Sequence, residues 1–128
     1  MVDASVALAA LIEVDRKGSW ALAVLAHDDL VAPHVLPAEV TSALRGLVLR
    51  GRLRADQAHR ALEDAADWQV ELYPFAGLET RVWELRDNLT PYDAWYVALA
   101  ELLEVPLATF DRRLAAASGP RCEFLMST

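Results

Sequence analysis

Apolar residues recur at helical spacing over 4–12 and again over 19–27, with alanine, leucine and valine returning on one side, so both segments are predicted helices. Leu30-Val31-Ala32 is a short apolar run stopped by Pro33, the pattern of a brief buried strand. Pro37 opens a helix that carries Val40, Leu44, Leu47 and Val48 on one face and ends near Gly51. A helix over 55–68 turns Ala58, Ala61, Leu62 and Ala65 inward. Val70-Glu71-Leu72-Tyr73 reads as a strand, followed by a helix over about 77–87. Thr90-Pro91 starts a strong helix to about 103, with Trp95, Ala98, Leu99 and Leu102 on its apolar stripe. The run from Val105 to Phe110 is a strand, its Pro106 at the entry where a ladder bond is least needed. A short helix over 112–117 and a last strand at Glu123-Phe124-Leu125 close the chain.

Strands alternating with helices predict an α/β fold, a parallel sheet of four to five strands covered by helices. In such sheets functional groups collect beyond the carboxyl ends of the strands. Met1-Val2 supplies only the end of a first strand, an abrupt start with two residues before Asp3. The 128 residues fit one domain, 1–128, and 55% hydrophobic content argues against disorder. No repeat, linker or low-complexity segment divides them. The apolar runs fall well short of the ~20 residues of a membrane span, and no signal-peptide pattern opens the chain. Cys122 is the single cysteine, so no internal disulfide forms and a reducing cytoplasm is the expected location.

Four carboxylates change this picture from fold to chemistry. Asp3 and Asp111 lie directly beyond the carboxyl ends of predicted strands, and Glu39 and Asp93 lie in first helical turns that begin near the same edge. Each has an ordinary explanation when taken alone. Asp3 and Asp111 suit helix N-caps, Thr90-x-x-Asp93 resembles a capping box, and Glu39 suits the helix dipole. Four separate caps would have no need to face one another, and a like-charge pair at ~4 Å repels by roughly 4 kcal/mol at an effective dielectric of 20. A hard divalent cation is the natural counter-charge, and oxygen ligands without His or Cys point to Mg²⁺ or Mn²⁺ rather than zinc. Such a site would activate water and steady negative charge on a phosphoryl oxygen. His27, His34 and His59 show no ligand spacing. Neither a Walker pattern nor GxGxxG occurs, GxSxG is absent, and Cys122 has no evident base beside it.

The net charge of −7 runs against a general grip on nucleic acid, so any phosphate-binding surface must be local. Arg45, Arg50, Arg52 and Arg54, with Arg60 beyond, form the densest basic stretch. A solvated helix end, where cations suit the C-terminal dipole, accounts for it equally well, as does an acidic protein partner.

The residues Val2-Asp3-Ala4-Ser5, Pro37-Ala38-Glu39-Val40, Leu89-Thr90-Pro91-Tyr92-Asp93-Ala94, Tyr96-Val97-Ala98-Leu99-Ala100-Glu101 and Pro106-Leu107-Ala108-Thr109-Phe110-Asp111-Arg112-Arg113-Leu114, in this order, resemble a PIN domain. The likeness covers essentially the whole chain and is specifically to VapC-type toxins of bacterial toxin–antitoxin pairs. It implies a three-layer PIN-like fold and a Mg²⁺- or Mn²⁺-dependent endoribonuclease that cuts structured RNA. It also implies an acidic quartet of Asp3, Glu39, Asp93 and Asp111, with Thr109 as the supporting hydroxyl. Arg45, Arg50 and Arg112 are the candidate RNA contacts. The resemblance further implies a homodimer held inactive by a cognate antitoxin, and the short apolar runs predict no membrane partner. Two rivals stand beside this reading. One is a catalytically silent binding module in which the acids are only caps. The other is a Mg²⁺-dependent phosphatase with an aspartyl nucleophile.

Overall fold

Capping side chains and prolines set most of the element boundaries. A computed structural model describes residues 1–128. Asp3 is the N-cap of α1 (Ala4–Ile12), its side chain accepting from the Val6 amide. Asp15 does the same for α2 (Arg16–Leu25) through the Gly18 amide. That helix therefore starts three residues before the apolar pattern predicts, because its first turn, Arg16-Lys17, is polar and invisible to hydrophobic periodicity. After β1 (Val31–Pro33), Pro37 sits in the first turn of α3 (Leu36–Leu49), which leads into α4 (Ala55–Ala66) and β2 (Glu71–Tyr73). Then come α5 (Glu79–Glu84), α6 (Pro91–Leu103), β3 (Leu107–Ala108), α7 (Arg112–Ala115) and β4 (Phe124–Leu125). Thr90 caps α6 through the Asp93 amide, and Glu104 ends that helix in the left-handed conformation at φ 54°.

All pairings are parallel, as the alternation of strands and helices predicts. β1 pairs with β2, β3 pairs with β4, and Val2 bridges to Ala108 of β3. The strand ladder is shorter than the sequence suggests: two hydrogen-bonded pieces rather than one sheet of four to five full strands. Pro33 contributes to that break. It belongs to β1, opposite Tyr73, instead of ending the strand before it. The bonds from the Glu71 amide to the Leu30 carbonyl and from the His34 amide to the Tyr73 carbonyl put the even-numbered residues against β2. The other edge of β1 thus carries a proline without a donor, and no ladder continues there.

The core surrounds α6, which buries Ala94, Tyr96, Val97, Ala98, Leu99 and Ala100. Val2, Val6, Leu44 and Leu107 pack into the same fully buried interior. Burial of this kind contributes roughly 1.5–3 kcal/mol for each large apolar side chain. Two inward assignments fail: Leu102 is 66% exposed and Leu62 is 37% exposed. Leu62 lines a cavity with Leu36, Val40, Trp68 and Leu72 instead of filling it. Trp95 is half-buried, its ring meeting Phe75 edge-on at 5.3 Å. No helix is long and apolar enough to cross a membrane.

Candidate active site

The parallel bridge between Val2 and Ala108 places the residues that follow each of them, Asp3 and Thr109, side by side. Asp3 is buried at 7% exposure and Thr109 is fully buried. The Thr109 hydroxyl donates to Asp3 Oδ2 in a short hydrogen bond and accepts from the Asp111 amide at 2.9 Å. Ser5 mirrors it from the other side: its hydroxyl donates to Asp3 Oδ1 at 2.5 Å and accepts from the Phe110 amide at 3.0 Å. The Val6 amide adds a third donor to Oδ1 at 3.1 Å. Asp3 is thus both a helix cap and the centre of a network joining the two ends of the chain.

Glu39 projects from the first turn of α3, and Tyr96 of α6 donates to its Oε1 at 2.7 Å. Asp93 lies in the first turn of α6, half-buried. Asp111 is exposed and caps α7, accepting from the Arg113 and Leu114 amides at 2.9 and 3.2 Å.

Electrostatics tie the four together. Burial raises the pKa of Asp3 above the ordinary carboxylate value, against the lowering effect of its hydroxyl and amide donors. Burial also raises Glu39, and the charges of Asp93 and Asp3 add to that rise. Asp93 is raised by burial and by the charges of Asp111 and Asp3. Tyr96 is pushed up by burial and then by its contact with Glu39. The acids therefore share one field, and no arginine, lysine or histidine forms an ion pair with any of them.

The chemistry of this set fits a hard divalent cation: oxygen donors only and negative charge with no cationic side chain paired to it. No three of the acids stand in direct metal-holding geometry. The fit is to an ion that keeps much of its water and takes one or two carboxylates directly, which is the habit of Mg²⁺.

The arginines divide. Arg112 directly follows Asp111, beside the acids, and is exposed. Arg45 and Arg50 lie 6 and 11 residues beyond Glu39 on α3, roughly 9 and 16 Å along its axis, and so outside the cleft. Arg50 is the C-cap residue of α3, the structural role that the helix dipole favours.

Sequence reasoning assigned no role to Ser5 or Tyr96. For Ser5 a local signal existed, a hydroxyl two residues after the acid it touches. For Tyr96 there was none, since Glu39 is 57 residues away.

Comparison with known proteins agrees with the geometry. The PIN domain family model matches residues 1–120. Ribonuclease VapC9 of Mycobacterium tuberculosis is 43% identical over 95% of this chain and 93% of its own length. Ribonuclease VapC1 of the same organism is 51% identical over 72% of this chain and 70% of its own. Ribonuclease VapC3, also of Mycobacterium tuberculosis, is 36% identical over 91% and 85% respectively. PIN nucleases generally use divalent metal ions. From the motif order, the buried Asp3 network and these likenesses together, the chain belongs to the PIN domain family, in the branch of the VapC ribonucleases.

Proposed function

We propose that this chain is the toxin of a toxin–antitoxin pair and acts as an endoribonuclease on structured RNA in the cytoplasm, with Asp3, Glu39, Asp93 and Asp111 as its acidic site. One observation carries the site assignment: four acids from four separate parts of the chain share a single electrostatic field with no cationic side chain paired to them.

A bound Mg²⁺ or Mn²⁺ would supply the positive charge that offsets the acids and stabilises the developing charge on a scissile phosphate. The protein's own groups do the rest. Ser5 and Thr109 hold the Asp3 carboxylate in one orientation while leaving its charge intact. Tyr96 occupies Glu39 Oε1, so Oε2 stays free of protein partners and would be available to the ion, directly or through its water. Asp93, influenced by both Asp3 and Asp111, would be one of the acids that hold the ion. Arg112 beside Asp111 offers a phosphate contact, and Arg45 and Arg50 would reach only RNA that extends along α3.

The net charge of −7 favours a basic partner, which fits an antitoxin segment laid across the acidic cleft. A homodimer is part of the proposal. The test is Asp93→Asn, assayed for RNA cleavage and for growth arrest on expression. The expected result is loss of both by at least about 100-fold, the scale of a removed electrostatic group in an active site. Full activity in a folded variant would remove Asp93 from the site.

A second reading, a silent binding module on the same scaffold, is favoured by the lack of three acids in direct metal-holding geometry. It predicts no stabilisation by Mn²⁺ and no cleavage.

A further inference from the structure

Tyr96 is 2% exposed and lies at the centre of α6, yet its hydroxyl is not spent on the backbone. It crosses from α6 to α3 and donates to Glu39 Oε1 at 2.7 Å. α3 packs mainly on α1 and α4, so contacts with α6 do little to set where the Glu39 carboxylate points. A glutamate has three side-chain torsions and would otherwise sample several rotamers at the mouth of the cleft. The bond from Tyr96 is the one hydrogen bond the Glu39 side chain makes. The donor is also neutral: an arginine or lysine there would fix Glu39 equally well but cancel its charge.

We propose that Tyr96 is a positioning residue for the acidic site, holding Glu39 by one oxygen so that the other stays aimed at a divalent cation. This rests on the metal-nuclease reading above and extends it to a residue that contacts neither ion nor RNA. Groups that orient metal ligands typically contribute 10–100-fold to metal affinity or activity.

Tyr96→Phe keeps the ring in its buried place and removes only the hydroxyl. Mn²⁺ binding is measured by calorimetry, with RNA cleavage followed in parallel, for wild type, Tyr96→Phe, Glu39→Gln, the double variant and Asp93→Asn. The expected result is about 10-fold weaker Mn²⁺ binding and a similar fall in kcat for Tyr96→Phe, with KM for RNA moving less than about twofold. The double variant should be no worse than Glu39→Gln, because Tyr96 acts only through the Glu39 carboxylate, and that substitution has already removed its charge. A folded Tyr96→Phe with wild-type Mn²⁺ affinity and kcat overturns the inference, even if its melting temperature falls, since that pattern is packing alone. Additive losses in the double variant also overturn it. Should Asp93→Asn lose Mn²⁺ binding while Glu39→Gln keeps it, Glu39 is outside the site and this inference falls while the nuclease reading stands. If the wild type binds no Mn²⁺, both fall.

Discussion

Asp3, Glu39 and Asp93 all hold their protons more tightly in the folded chain than in water, burial being the leading cause for each. A carboxyl whose pKa rises on folding lends stability below its ordinary value, 3.8 for aspartate. That stability is lost as pH climbs through the raised folded value. At neutral pH, without a cation, the ionised cleft therefore works against the fold. Asp93→Asn removes one of the mutually repelling charges. In chelator at pH 7 the variant should melt above the wild type, by the equivalent of at most about 1 kcal/mol for a half-exposed group screened by solvent. That advantage should shrink as pH falls through the mildly acidic range and the wild-type carboxyl takes up its proton. Thermal melts of both proteins across pH 4.5–7.5 check this, and a wild type that melts higher at pH 7 in chelator would contradict it. The same substitution thus trades activity for metal-free stability, as expected where function requires like charges to face one another.

Helix ends and helix contacts decide how those residues meet. α1 and α6 start on side-chain caps, and these caps double as members or neighbours of the acidic set, which is why the acids were legible in sequence. Asp3, Glu39, Asp93 and Asp111 each stand at an element start that local pattern locates. Thr109, 106 residues from Asp3, entered only through the family resemblance, and Tyr96, 57 residues from Glu39, left no signal at all. Strand lengths were misjudged for a related reason. Val105 and Phe110 are apolar and suit a strand, but only Leu107 and Ala108 stand in the ladder with β4, whose backbone bonding ends at the Thr109 amide. At the opposite end of α6 another contact ties elements together. Arg81 of α5 binds Glu101 of α6 through Nε at 2.7 Å and Nη2 at 2.9 Å, and also donates to the Gly119 carbonyl at 2.8 Å. Glu101 in turn accepts from the Arg121 amide at 2.7 Å, which pins the approach to β4. Glu101→Ala should cost about 1–3 kcal/mol, because it removes the two-point partner of Arg81 and leaves that guanidinium only Glu84 and the Gly119 carbonyl. Urea unfolding measures this, and a loss below about 0.5 kcal/mol would show the clasp to be dispensable.

The molecule as a whole joins its first residues to its last third. Met1, Asp3 and Ser5 hydrogen-bond to the segment from Pro106 to Phe110, so the acidic cleft forms only when the entire chain has folded. The alternation of elements foretold the parallel α/β arrangement. The proline on the free edge of β1 explains why the strands form two ladders rather than one. A cation that binds only the folded state should stabilise all of it together. At 100 times its Kd, Mn²⁺ would add about 2.7 kcal/mol, or about 10 °C in Tm for a domain of this size. Asp3→Asn should abolish most of that shift. Equal Mn²⁺ shifts in the two proteins would place the ion elsewhere.

The most direct test of the acidic site is anomalous diffraction from crystals grown with Mn²⁺. One peak, or two, bounded by the carboxylates of Asp3 and Asp93, with Glu39 and Asp111 facing it directly or across water, is the predicted result. Well-ordered crystals with saturating Mn²⁺ and no peak among these four side chains would contradict it.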